Sequence, residues 1–179
     1  MKPDFQSILL SEEQIRARTA ELAAELDRDY ADKDALFVCI LKGSVFFFSD
    51  LLKEMKTMPV IDFMAASSYG DATVSSGMLN ITKDLSVSVQ GKHVVLVEDI
   101  VDSGFTLSRL KEHLLSRHPL SVRICTLLNK PDRRTVDVEV DYCGFDIPDE
   151  FVVGYGLDYA EKYRNEKGVY ILSRNVYGG

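Results

Sequence analysis

Residues 94–107 read VVLVEDIVDSGFTL, and the order of residue types in them decides the fold. The apolar run from Val94 to Val97 is short and rich in β-branched side chains, so it reads as a strand buried on both faces. Glu98 and Asp99 end the run, and Asp102 follows three residues after Asp99. Ser103, Gly104 and Thr106 then open FTLSRLKEHLLSRH, in which Leu107, Leu110 and Leu114 share a helical face and Pro119 marks the stop. The stretch is therefore strand, polar turn, helix, with the helix starting near Ser103 or Gly104. Its first amides lack intrahelical partners and, with the helix dipole, suit an anion. Gly104 allows close backbone approach, and Ser103 and Thr106 add hydroxyl donors, so the loop fits a terminal phosphate. Ser103 as a simple cap and Gly104 as a simple turn would account for those residues alone. The acids shift the balance. Unscreened, Glu98 and Asp99 would repel a phosphate, whereas a cation or sugar hydroxyls between them remove the conflict. Carboxylates suit Mg²⁺, which keeps several waters and is usually shared with substrate phosphates. A phosphorylated sugar with bound Mg²⁺ fits better than phosphate alone.

The same alternation extends outward. SEEQ from Ser11 has the form of a capping box with Gln14, and Ile15, Thr19, Leu22 and Leu26 recur at helical spacing, which predicts a helix over residues 12–30. ALFVCIL reads as a buried strand. VFFFSDLLKEM follows as a helix with Val45, Phe48, Leu52 and Met55 near one face, and PVIDFMAASS as the next strand. YGDATVSSG lacks a helical face and reads as a loop, with MLNITKDL as its returning arm. SVRICTLLNK is another strand, and short strands follow in VEVDYCGF, EFVVGYGL and GVYILS. Alternating strands and helices imply an α/β fold with a mostly parallel sheet and right-handed crossovers. Ligands in such sheets bind beyond the carboxyl ends of the strands. Lys42, Glu98, Asp99 and Lys130 stand at strand ends, and Asp158 follows FVVGYGL. If those strands run parallel in one sheet, all five polar groups gather on one rim.

Composition narrows the classes. The 179 residues suffice for one domain with a sizeable core, and the net charge of −7 disfavours a broad electrostatic grip on nucleic acid. Cys39, Cys125 and Cys143 form no C-x-x-C pair and sit in apolar runs, as small buried hydrophobes do. Nothing in the opening MKPDFQSILLSEE reads as a secretory signal and no later run would span a bilayer, so a cytoplasmic location is expected. The P-loop, the G-x-G-x-x-G fingerprint and the G-x-S-x-G elbow are all missing. A phosphate-accepting response-regulator domain shares an acidic pair and a Lys-Pro at strand ends. Here ED and KP lie too close together, and the pair comes too late in the chain.

VEDIVDSGFTL resembles the phosphoribosyl-diphosphate loop of type I phosphoribosyltransferases. LKGS, SSYGDATVSSG, LNKPDRR, GFDIP and EFVVGYGLDYAEKYRN follow the order found in hypoxanthine-guanine phosphoribosyltransferases, across nearly the whole chain. The resemblance implies a single domain over residues 1–179 with the type I fold: a core of about residues 35–135 and a small hood from the N-terminal helix and the C-terminal short strands. It implies transfer of a 5-phosphoribosyl group from phosphoribosyl diphosphate to a 6-oxopurine, with release of pyrophosphate, by a homodimer or homotetramer. Ser103, Gly104, Phe105 and Thr106 would take the 5′-phosphate, and Glu98 and Asp99 the ribose hydroxyls, directly or through Mg²⁺. Lys42, Gly43 and Arg164 would hold the pyrophosphate, with Asp158 on a second Mg²⁺. Asp102 would exchange a purine ring proton. Lys130 would bond the purine 6-oxygen, Phe151 would stack on the ring, the Val152 backbone would read its edge, and Ile100 and Asp158 would belong to the same purine site. A non-proline cis peptide at Leu41–Lys42 and a lid around Ser68 and Tyr69 also follow from the resemblance. Two departures stand out: Ser44 where glycine is frequent, and Phe105 at the variable site of the phosphate loop. A non-catalytic regulator of the same fold that binds nucleotides and RNA is the alternative, and it would need a basic surface.

Overall fold

The structure, a computed structural model, describes residues 2–68 and 79–178. Along the chain run β1 (Phe5–Leu10), α1 (Glu12–Tyr30), β2 (Ala35–Leu41), α2 (Val45–Glu54), β3 (Val60–Ser68) and β4 (Leu79–Lys83). Then come β5 (His93–Val101), α3 (Phe105–Leu115), β6 (Ser121–Asn129), β7 (Tyr142–Asp146), β8 (Val152–Val153), β9 (Val169–Leu172) and the short turn of helix α4 (Arg174–Tyr177). The main sheet has six strands in the order β4-β3-β2-β5-β6-β7. Neighbouring strands from β3 through β7 pair in parallel, and β4 adds an antiparallel edge to β3. The predicted α/β class with a mostly parallel sheet is what forms.

The central strands are apolar on both faces because both faces are covered. Along β2, Phe37 and Cys39 enter the cluster packed by α1 and α2, while Leu36, Val38 and Ile40 enter the one packed by α3. The α1 start is the predicted capping box: Gln14 N donates to Ser11 Oγ at 3.3 Å, and Ser11 N to Gln14 Oε1 at 2.9 Å. On α2, Phe48 and Met55 of the predicted face are buried and Leu52 packs on the core, but Val45 is 38% exposed and Phe47 and Leu51 are buried as well. Three consecutive phenylalanines allow more than one apolar stripe, and tertiary packing chooses between them.

A second, three-stranded sheet of order β1-β9-β8 forms the hood. β1, where no strand is expected, pairs antiparallel with β9 from the opposite end of the sequence. The N-terminal helix, expected in the hood, lies elsewhere: α1 packs on α2 and the main sheet, through Ile15, Leu22 and Leu26.

Candidate active site

Because β2, β5 and β6 are parallel, their carboxyl ends meet on one rim. Lys42 follows β2, Glu98 and Asp99 lie among the last residues of β5, and Lys130 follows β6, its N donating to Val101 O at 3.0 Å. Asp158 arrives differently from the expectation. It does not extend a strand of the main sheet, but is carried over the rim by the hood segment after β8. A close glycine contact seats that segment: a Cβ on Gly156, at φ 102°, would lie 1.8 Å from the Gly43 carbonyl oxygen. Gly43 in turn leaves room for Asp99, whose Oδ2 stands 1.7 Å from where a Gly43 Cβ would sit. The Leu41–Lys42 peptide is cis. Ser44, the departure in this turn, is fully buried, and its hydroxyl donates to the Ile40 carbonyl.

The turn after β5 is held from outside. Gly104 caps α3 in the left-handed region at φ 81°, which glycine adopts without strain. Thr135 N donates to Ser103 O at 3.1 Å, and Arg134 Nη1 to Asp102 O at 3.1 Å, so the loop after β6 braces the anion loop. A cavity of about 360 Å³ opens over Glu98, Ser103, Gly104, Phe105 and Thr106. A second, of about 510 Å³, opens over Asp99, Lys130, Phe151, Val152 and Asp158. Ile100 and Asp102 line both, so the cavities adjoin there.

Lys130 is not a solvated strand-end lysine. It is 6% exposed, donates Nζ to Glu150 O at 2.8 Å, and stands 3.7 Å from Asp102 Oδ1 and 3.8 Å from Asp149 Oδ1. Arg133 bridges the same acids, with Nε 3.6 Å from Asp102 Oδ1 and Nη1 3.3 Å from Asp149 Oδ1. Arg133 and Asp149 line the second cavity, and neither was singled out from the sequence, although Arg133 lies within LNKPDRR and Asp149 directly follows GFDIP. Phe151 is not plain core: it keeps 38% of its surface exposed at the cavity. Tyr177, also missed, stacks on Phe151 with ring centroids 4.7 Å apart.

The acids and cations on the rim are poorly satisfied by protein alone. Burial pushes the Glu98 carboxyl well above the usual carboxylate range, with Asp99 adding to the effect, and pushes Asp99 up to about 6. Glu98 Oε2 is shut away from solvent with no hydrogen-bond partner, and Arg164 Nε likewise. Arg164 Nη2 pairs with Asp158 Oδ1 at 2.7 Å and Glu161 Oε2 at 3.3 Å, and Lys42 Nζ pairs with Glu161 at 3.2 Å. Among the described residues no three His, Cys, Asp or Glu side chains gather into a metal cage. An orphaned, buried carboxylate oxygen beside a second carboxylate nevertheless fits a cation that arrives with a phosphate ligand and brings its own waters. Of the expected lid, Ser68 ends β3, while Tyr69 and the rest of YGDATVSSG lie outside the described residues.

Residues 6–160 match the family model described as a phosphoribosyl transferase domain. The chain is 49% identical over 177 residues to a hypoxanthine-guanine phosphoribosyltransferase of Bacillus subtilis, covering 99% of this chain and 98% of that one. It is 49% identical over 180 residues to one of Mycobacterium avium, covering 97% and 89%. The crystal structure of a hypoxanthine phosphoribosyltransferase from Staphylococcus aureus superposes with a TM-score of 0.95 at 48% identity, covering 98% and 96% of the two chains. With a rim of this geometry and relatives of this identity along their whole length, the chain belongs to the phosphoribosyl transferase family, in its hypoxanthine-guanine branch.

Proposed function

We propose that the chain transfers the 5-phosphoribosyl group of phosphoribosyl diphosphate to hypoxanthine and guanine, giving IMP or GMP and pyrophosphate, a purine-salvage reaction. The adjoining cavities carry this reading. One offers helix amides and hydroxyls to a phosphate, the other an aromatic face and a buried ammonium, and Asp102 stands where they meet. A sugar lying between them has its C1 near Asp102. The C1–oxygen bond to the diphosphate breaks and a C1–nitrogen bond to the purine forms. Asp102 takes the proton that the attacking ring nitrogen gives up.

Each remaining residue acts where charge appears. Lys130 donates to the purine 6-oxygen. A 6-amino group there would face the ammonium and leave it unpaired, which disfavours adenine. Phe151 stacks on the ring, Ile100 contacts it, and Val152 offers its backbone to the ring edge. Ser103 and Thr106 hold the 5′-phosphate with the amides of Gly104 and Phe105. Lys42, Arg164 and the Gly43 backbone hold the diphosphate. Lys42 gives up little to do so, because both side chains of its pair with Glu161 are exposed and water screens their attraction. Glu98 and Asp99 would hold the ribose hydroxyls directly or through Mg²⁺, Asp158 would hold a second Mg²⁺, and the metal would supply charge stabilisation to the departing diphosphate. Ser68 and Tyr69 act in closing the site over the substrates. The proposal extends to a cytoplasmic homodimer or homotetramer. Among the described residues no helix is long and apolar enough to cross a membrane.

The test is product analysis. Wild-type protein with hypoxanthine, phosphoribosyl diphosphate and Mg²⁺ should form IMP and pyrophosphate in equal amounts, should use guanine likewise, and should leave adenine unconsumed. Failure to consume either 6-oxopurine would remove the proposal.

A further inference from the structure

Tyr177 is in an unusual position for a residue so far along the sequence from the sheet rim. It belongs to the one-turn helix α4, yet it lines the same cavity as Lys130, Val152 and Asp158. Its ring lies on Phe151 with centroids 4.7 Å apart and planes inclined by 23°, a stacked pair. Tyr159 closes the group edge-on, 5.6 Å from Phe151 and 6.5 Å from Tyr177. The arrangement is built into the hood and not a chance approach of a chain end. Leu172 N donates to Phe151 O at 2.8 Å, and Ser173 N to Asp4 O at 2.8 Å, so the backbone that leads into α4 is bonded both to Phe151 and to the strand region at the start of the chain. Tyr177, Val176 and Tyr159 pack on the hood's own small core of Phe5, Val153 and Leu172.

One face of Phe151 is therefore taken by Tyr177, while 38% of its surface remains open. We infer that Tyr177 is a positioning residue for the purine: it backs Phe151 and fixes the plane of that ring, so that base, Phe151 and Tyr177 form a continuous stack. The inference rests on the purine site proposed above. Physically, a phenyl ring with only one covered face and free rotation about its side-chain bonds loses entropy when a base stacks on it. A second ring already stacked behind it removes much of that loss before the base arrives. The part of Tyr177 that matters is the π-face, not the hydroxyl. It acts on the purine and not on the diphosphate, because among the described residues Lys42 pairs with Glu161, and Arg164 with Asp158, Glu161 and the Gly156 carbonyl, and neither bonds to α4.

The test compares Tyr177→Ala, Tyr177→Leu and Tyr177→Phe, each checked for an unchanged melting temperature. Hypoxanthine is varied at saturating phosphoribosyl diphosphate, and then the reverse. Aromatic pairs of this kind are worth about 2- to 10-fold in an equilibrium constant. The alanine and leucine variants should therefore raise KM for hypoxanthine and the dissociation constant of IMP by about that factor. KM for phosphoribosyl diphosphate should stay within experimental error, and phenylalanine should restore the wild-type values. Leucine keeps apolar packing without a π-face, so it separates ring stacking from hood stability even if alanine proves unstable. Unchanged purine KM in the leucine variant would overturn the inference. So would a lowered one, which would mean that Tyr177 occupies the place of the base. If wild type itself turns over neither purine, the proposed function fails, and the dissociation constants of IMP for the variants still decide this inference.

Discussion

Asp99→Asn should make the substrate-free protein more stable while abolishing its activity. Burial holds the Asp99 carboxyl at about 6, against an ordinary value of 3.8. At pH 7 that difference penalises the ionised, folded form by about 3 kcal/mol. Asparagine keeps an oxygen to accept from Ile100 N, a bond of 2.8 Å in the wild type, and offers an amide donor to Glu98, whose Oε2 has no partner. Loss of attraction to Arg164 offsets part of the gain, leaving roughly 1–3 kcal/mol, or about 2–12 °C in melting temperature for a chain of this size. The sign follows from linkage. The folded protein binds the Asp99 proton more tightly than the unfolded chain does, so wild-type stability falls as pH rises from about 4 to 6. The gap between variant and wild type should be full at pH 7, about half as large at pH 5 and nearly closed at pH 4. Urea or thermal unfolding in EDTA, without substrates, reads it. A variant less stable than wild type at pH 7, or a gap independent of pH, would refute the reasoning that this acid is kept for function at a cost in stability.

Three further outcomes follow. Gly156→Ala places a methyl carbon 1.8 Å from the Gly43 carbonyl at φ 102°, where two backbones must part, and urea unfolding should show a loss of about 2–4 kcal/mol. Asp102→Asn should lower kcat by about 10²–10⁴-fold with little change in substrate binding, and unaltered turnover would remove the proton-transfer assignment. Lys130→Met keeps the buried stem but deletes the ammonium that donates to Glu150 O and faces Asp102, so KM for hypoxanthine should rise by about 10- to 100-fold while that for phosphoribosyl diphosphate changes little.

Much of this molecule can be read from local sequence, and the exceptions share a cause. β2, the first half of β5 and most of β6 are apolar runs, α1 carries its own capping box, and Gly104 marks the turn into α3, so each is written within a few residues. The strand-end positions of Lys42, Glu98, Asp99 and Lys130 follow once the strands are parallel. What escaped depends on contacts between distant segments. β1 becomes a strand only by pairing with β9, and the buried stripe of α2 is chosen by what packs on it. Asp158 reaches the rim through the contact of Gly156 with Gly43, and not by ending a strand of the main sheet. Arg133 stood in LNKPDRR and Asp149 just after GFDIP, but only the folded loop shows that they flank Lys130 and Asp102. Tyr177 had no local signal, since a one-turn helix lacks a periodic pattern and its partner Phe151 is brought to it by the hood sheet.

The central claim is that the two cavities meeting at Asp102 form one site for one nucleotide. A crystal structure of the protein with IMP and Mg²⁺ tests it most directly. The base should lie on Phe151 with its 6-oxygen within hydrogen-bond distance of Lys130 Nζ, and the phosphate should sit on the loop from Ser103 to Thr106, with Asp102 beneath the sugar. A nucleotide whose phosphate lies off that loop, or whose base avoids Lys130 and Phe151, would contradict the account.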